Sequence, residues 1–258
     1  METNGVRVHI DDERMDVVLC APEKRNAQTP SMWAFFAEIS NHVPDHIRAI
    51  VIRAEGPSFS AGLDRAMMTP EGISGEGSFF DLASTPEGQL DTFIAQAQEG
   101  FTWWSNQPII TVAAVQGHAI GAGMQLALAC DVIIAQTDAH FAMRETSLGL
   151  VPDLGGTGEL VRRVGYPRAL EICATGRFVD APEALDIGLV QYLAPIGELE
   201  LKTDEFLTQI ASAPLGALHE LKPLLRNAVD SDRDQQLAAE RAAQIRRFSD
   251  LAKILHSS

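Results

Sequence analysis

Two short apolar runs, Val6 to His9 and Met15 to Leu19, flank the polar turn Asp11-Asp12-Glu13 and predict a hairpin near the start of the chain. After the polar stretch Pro22 to Thr29, Pro30 stands where a helix can open, and Met32, Phe35, Phe36 and Ile39 follow at helical spacing. Ala49-Ile50-Val51-Ile52 is apolar without interruption, the pattern of a buried strand, and Glu55-Gly56-Pro57 ends it. Thr69 to Gly88 mixes Gly, Ser, Pro and acidic residues with scattered apolar ones, so it is expected to be a mobile surface insertion rather than an element. The pattern then predicts a helix from Leu90 to Trp104 and a strand from Ile109 to Val115. A turn over Gly117 to Gly123 leads into an apolar helix through Leu126, Leu128 and Ala129, and Asp131 to Ala135 is another strand.

From Gly155 on, helix alternates with turn: Thr157 to Val164, Arg168 to Ala174, Ala181 to Ile187, Leu199 to Ala211, Leu215 to Ala228 and Asp234 to Leu255. A β-rich first half and a helical second half make this an α/β chain. The expected division is a catalytic core over 1–195 and a helical region over 196–258 that can pack between subunits. At 258 residues there is room for one large core with an appendage, and no repeat of solenoid period is present.

Composition narrows the function classes. Hydrophobic residues are 46% of the chain, as in globular proteins, and no run approaches the roughly 18 apolar residues of a membrane span. The first twenty residues lack a basic stretch followed by an apolar one, so a cytoplasmic address is expected. The net charge of −15 argues against nucleic acid and anionic membranes as partners, while leaving room for an anionic ligand held locally by a few cations and backbone amides. Cys20, Cys130 and Cys173 are far apart among apolar neighbours and are expected to be small buried residues. No His, Asp, Glu or Cys grouping has the spacing of a metal site.

Two glycine-bearing loops carry the chemistry. Gly56-Pro57-Ser58-Phe59-Ser60-Ala61-Gly62-Leu63-Asp64 follows a buried strand, where small residues let a ligand approach the backbone, although a plain turn has the same composition. Gln116-Gly117-His118-Ala119-Ile120-Gly121-Ala122-Gly123-Met124-Gln125 places backbone N–H groups at a helix start, where partial positive charge favours an oxyanion. Two such loops in one chain are far more specific than either.

Together they resemble the crotonase, or enoyl-CoA hydratase/isomerase, superfamily. The resemblance runs from Pro22-Glu23-Lys24-Arg25-Asn26-Ala27 through Leu148-Gly149-Leu150-Val151-Pro152-Asp153 and Gly155-Gly156-Thr157 to the helices after Gly188. It implies a spiral of ββα units with perpendicular sheets, a C-terminal helical trimerisation region, and a homotrimer or dimer of trimers. It also implies an acyl-CoA thioester as ligand, with no metal or cofactor beyond the coenzyme A of the substrate. The amides matching Ala61 and Ala122 form the oxyanion hole. Lys24, Arg25 and Ala27 line the adenine and pantetheine side, with Gly62, Leu63 and Asp64 at the first loop, although Lys24 and Arg25 also suit a solvated surface.

The acid/base groups depart from the hydratase pattern. Hydratases of the family use two glutamates; the second matches Glu145, but the first falls on Gln125, which can orient water or substrate and cannot act as a carboxylate base. Asp153 stands where many hydratases have glycine, and isomerases of the family are similar in carrying an acid there. Dehalogenases of the family also place an aspartate here, but the aromatic pocket they require is not evident. Two carboxyl groups facing one acyl chain can take a proton from one carbon and return it at another. Glu145 and Asp153 therefore point to a double-bond shift in an enoyl- or dienoyl-CoA. A hydratase using Glu145 and a noncatalytic acyl-CoA binding protein are the alternatives. Asp153 also suits a helix cap, Glu145 an ion pair with Arg144, and His118 a packing role. The chain stops at Leu255-His256-Ser257-Ser258, short of a segment with which many relatives reach a neighbour's CoA, and Arg246, Arg247 and Lys253 are possible substitutes.

Overall fold

A computed structural model describes residues 2, 3 and 5–257, with the side chains at 2, 254, 256 and 257 left aside. The strands and helices run β1 (Glu2–Thr3), β2 (Val6–Asp11), β3 (Arg14–Leu19), α1 (Pro30–Ile39), β4 (Ala49–Ala54), α2 (Phe79–Ala83), α3 (Glu87–Asn106), β5 (Ile110–Val115), β6 (His118–Ile120), α4 (Ala122–Leu128), β7 (Val132–Gln136) and β8 (His140–Ala142). They continue as α5 (Gly156–Val164), α6 (Tyr166–Thr175), β9 (Val179–Asp180), α7 (Ala181–Asp186), β10 (Tyr192–Ala194), α8 (Leu199–Ala211), α9 (Leu215–Asn227) and α10 (Arg233–Ser257).

The strands form a seven-stranded sheet, ordered β1-β2-β3-β4-β5-β7-β10, and a three-stranded sheet, β6-β8-β9. The β2–β3 hairpin is antiparallel, and β3, β4, β5, β7 and β10 run parallel. Each turn of the spiral sends one strand into the large sheet, the next into the small one, and then a helix: β5, β6, α4 is one turn and β7, β8, α5 the next. This is the spiral of ββα units expected from the resemblance.

The uninterrupted apolar strands are central because both faces of the large sheet are covered. On one side Trp33 and Phe36 of α1 meet Phe101 and Trp104 of α3 edge to face. On the other, Val51, Val112, Ala114 and Ile134 pack under Leu199, Phe206 and Leu207 of α8, so the first helix after residue 196 completes the sandwich.

Several elements differ from expectation. The 69–88 segment is not featureless: Ser78 and Asp81 form a reciprocal capping box on α2, Ile73 bridges Gly77, and Glu76 accepts bonds from Ser31 N and Oγ. Polar side chains fix this insertion, which an apolar-period reading does not register. The 117–123 turn contains β6, and β1, β9 and β10 are likewise unmarked, because two or three residues are too few to show a period. Helix α3 starts three residues earlier than the pattern indicates, directly after Pro86. Among the described residues, no helix is long and apolar enough to cross a membrane.

Candidate active site

The spiral lays three loops side by side. Phe59 N donates to Gln116 O, Ser60 N to His118 O and Ile120 N to Ser60 O, so the chain at 59–61 runs as a short parallel strand along β6. The 25–28 loop attaches on the other side: Ala61 N donates to Arg25 O (2.9 Å), Gln28 N to Gly62 O and Asp64 N to Gln28 O. Glycine is needed where the loops touch. Gly62 has φ +83°, and a Cβ there would lie 2.4 Å from Ile120 O and 3.5 Å from Ala122 N. Gly123 presses on Ser60 in the same way. Ala61 and Ala122 are thereby brought to one place.

Their amides are not alike. Ala122 is the first residue of α4, after Gly121 at φ +53°, and its N–H is one of those a helix start leaves without an intrahelical acceptor. The Ala61 N–H, expected to be bare, is engaged with the Arg25 carbonyl. That carbonyl is turned inward because Arg25 and Asn26 both adopt left-handed conformations, φ +53° and +52°. Asn26, fully buried, anchors them by donating to Glu55 O and Ser58 O and accepting from Ala21 N. Gln28, also fully buried, accepts from Trp33 Nε1 and donates to Ser60 Oγ. Sequence reasoning missed this Asn26, Gln28 and Ser60 hub. Its signal was polar residues beside the first loop's matching partner, legible only once the two segments are known to be adjacent.

Glu145 opens the helical turn that follows β8 and approaches Gly121, where a Cβ would come within 3.3 Å of its Oε1. Gln125 Nε2 donates to Oε1 at 2.8 Å, whereas Oε2 is buried and accepts no hydrogen bond among the described residues. Burial raises the Glu145 pKa above the ordinary carboxylate value. Bonds from the backbone and Gln125 lower it in part, and the Asp153 charge pushes it further up. Asp153 is itself pushed up, again by desolvation. Each carboxylate thus sits in an environment that favours holding a proton.

The plainer roles are not what these acids do. α5 is capped at Gly155 with no side-chain bond, so Asp153 is not its cap, and Gln98 holds the Asp153 carbonyl from α3 at 2.7 Å. Arg144 turns from Glu145 to lie over the Phe178 ring. His118 stacks on His140, with Phe178 at their edge, which is the expected packing role.

Of the residues expected to contact the coenzyme, Lys24 and Asp64 are brought together at 3.4 Å, and Asp64 also accepts from Ala66 N. Arg25 is exposed, Ala27 is half-buried, and Leu63 packs on the core. Arg246 is engaged with Glu220, and Arg247 and Lys253 with Asp250. Cys130 is buried, and its thiol is pushed far up by desolvation, so it is no nucleophile. No metal-ligating cluster occurs among the described residues. Two open hollows of about 300 and 490 Å³ lie elsewhere, against α8, and neither contains Glu145, Asp153 or Ala122.

A spiral of ββα turns with amides and carboxyls converging where two loops meet defines the crotonase class. A model of the enoyl-CoA hydratase/isomerase family matches residues 15–254, and the chain belongs to that family. The structure of a "putative enoyl-CoA hydratase" from Thermobifida fusca superposes with a TM-score of 0.92 at 41% identity, covering 97% of this chain and 95% of that one. Structures of such a T. fusca protein in complex with CoA and with acetoacetyl-CoA match at 41% identity and a TM-score of 0.91 each. A Bacillus subtilis protein named "Putative enoyl-CoA hydratase/isomerase YngF" is 38% identical over 238 residues, 91% of this chain and 86% of that one. A Dictyostelium discoideum Delta(3,5)-Delta(2,4)-dienoyl-CoA isomerase is 30% identical over 184 residues, 70% of this chain and 61% of that one.

Proposed function

We propose that this enzyme shifts a double bond in an enoyl- or dienoyl-CoA, with Glu145 Oε2 as the atom that takes and returns the proton and Asp153 as its partner. The observation that carries the reading is a buried carboxylate oxygen with no hydrogen-bond partner among the described residues, beside a second acid whose proton is also favoured. A buried, unpaired charge costs stability, and a site retains one where substrate uses it. The T. fusca complexes with CoA and acetoacetyl-CoA support an acyl-CoA thioester as ligand.

The proton α to a thioester is weakly acidic, and its removal leaves an enolate oxygen that needs fixed donors. The Ala122 N–H is the first of these. The Ala61 N–H joins it by sharing its hydrogen between the substrate oxygen and Arg25 O in a three-centre bond. Glu145 removes a proton at one carbon, and the two carboxyls return one at another. Nothing is oxidised or reduced, so coenzyme A enters only as part of the substrate. Lys24, Arg25, Ala27, Leu63 and Asp64 border the coenzyme.

Water addition is the second reading, favoured by the hydratase names among the relatives. Against it, the Gln125 oxygen is occupied by two backbone amides and its nitrogen gives a hydrogen to Glu145, leaving one N–H for a water. A noncatalytic acyl-CoA binding protein would have no use for the two carboxyls. The test is to assay Glu145→Gln and Asp153→Asn on β,γ-enoyl-CoA and dienoyl-CoA substrates. A loss on the order of 10²–10⁴-fold for Glu145→Gln is expected, and unimpaired turnover by both variants would sink the proposal.

A further inference from the structure

Gln125 is only 1% exposed on α4, and both ends of its side chain are used. One atom receives the N–H groups of Leu154 (2.9 Å) and Gly156 (3.3 Å), and the other lies 2.8 Å from Glu145 Oε1. Backbone amides only donate, so the atom facing them is the amide oxygen, and the one facing Glu145 is the NH₂. A Cβ at Gly156 would lie 2.7 Å from Gln125 Cγ and 3.0 Å from its Oε1, so glycine is what lets this backbone close on the side chain.

Two consequences follow. The Gln125 hydrogen needs an acceptor, so Glu145 Oε1 stays unprotonated, and the proton moved in turnover resides on Oε2. Leu154 and Gly156 are the residues just after Asp153, so one side chain holds the first acid directly and the second through its backbone. We infer that Gln125 is a positioning residue that dedicates Glu145 Oε2 to proton transfer and fixes the spacing of the two acids. This rests on Glu145 being the base.

A carboxylate at 125 separates this role from plain packing. Gln125→Glu keeps an oxygen for Leu154 and Gly156, so the fold is preserved, but it sets a second oxygen 2.8 Å from Glu145 Oε1. Two such carboxyls share a proton rather than both ionising. The pair then titrates in two coupled steps, so the kcat/KM profile is expected to show an additional ionisation and an acid limb displaced by about one pH unit or more from the wild type, with KM for the acyl-CoA little changed. Gln125→Met removes the donor and is expected to lower kcat at least about tenfold and to move the same limb upward, because the bond it deletes favours the ionised form. Profiles of the Glu variant that superpose on the wild type, with kcat within about threefold, would overturn the inference, whatever the Met variant does. Glu145→Gln assayed alongside separates the two failures. If it retains turnover, the base assignment is wrong. If it is inactive while Gln125→Glu keeps the wild-type profile, the positioning role alone is wrong.

Discussion

Glu145 and Asp153 lie in one field, and their coupling has a sign that can be checked. The Asp153 charge raises the Glu145 pKa, so Asp153→Asn is expected to move the acid limb of kcat/KM to lower pH even as it slows turnover. A limb that moves up or stays fixed would contradict the coupling. Burial also has a consequence for stability. The folded-state pKa of Glu145 lies above its unfolded value, so folding is most favourable where the group is protonated and weakens as pH rises through the folded pKa. Glu145→Gln removes that decline. It is expected to have a higher Tm than the wild type at neutral pH while losing activity, and a lower Tm there would argue that the ionised carboxylate is well accommodated.

At the scale of elements, α9 is fixed to the core by a buried cation. Lys222 Nζ contacts Asp131 Oδ2 at 2.7 Å and donates to Ile109 O and Trp104 O, while Asp131 also accepts from Thr111 N and Oγ1. Lys222→Met leaves that carboxylate short of its partner and is expected to cost about 3 kcal/mol in urea unfolding, with part regained on adding Asp131→Asn. Neither change should alter the pH profile.

The elements also show what was legible in advance. The central strands, α1 and the helices from α5 onward follow from apolar period and turn residues, because their length lets a period repeat. The segments that build the site are short and joined by side chains to main chain: β6 and β8 span three residues each, and the insertion is held by Ser78, Asp81 and Glu76. Ala61, Ala122, Glu145, Asp153 and Gln125 were all picked out from the loops and the resemblance, and the fold brings Ala61 beside Ala122 and Glu145 beside Gln125. The Arg25 carbonyl on the Ala61 amide was not legible, because it depends on two consecutive left-handed residues that only the neighbouring loop makes sense of.

Across the whole molecule, apolar side chains remain on the surface of the last two helices, among them Leu221, Leu225, Ile245, Phe248 and Leu251. A face of this kind is suited to a second copy of the chain. Sedimentation velocity is expected to find a trimer or a dimer of trimers, with Phe248→Asp moving the population toward monomer, and a wild-type monomer at micromolar concentration would contradict it.

The reaction itself is tested most directly by supplying a β,γ-enoyl-CoA in ¹⁸O-labelled water and weighing the first product formed. A double-bond shift through Glu145 yields the α,β-isomer at unchanged mass with no ¹⁸O, and Glu145→Gln yields none of it. A first product that carries ¹⁸O as a 3-hydroxyacyl-CoA, with no α,β-isomer preceding it, would contradict the account.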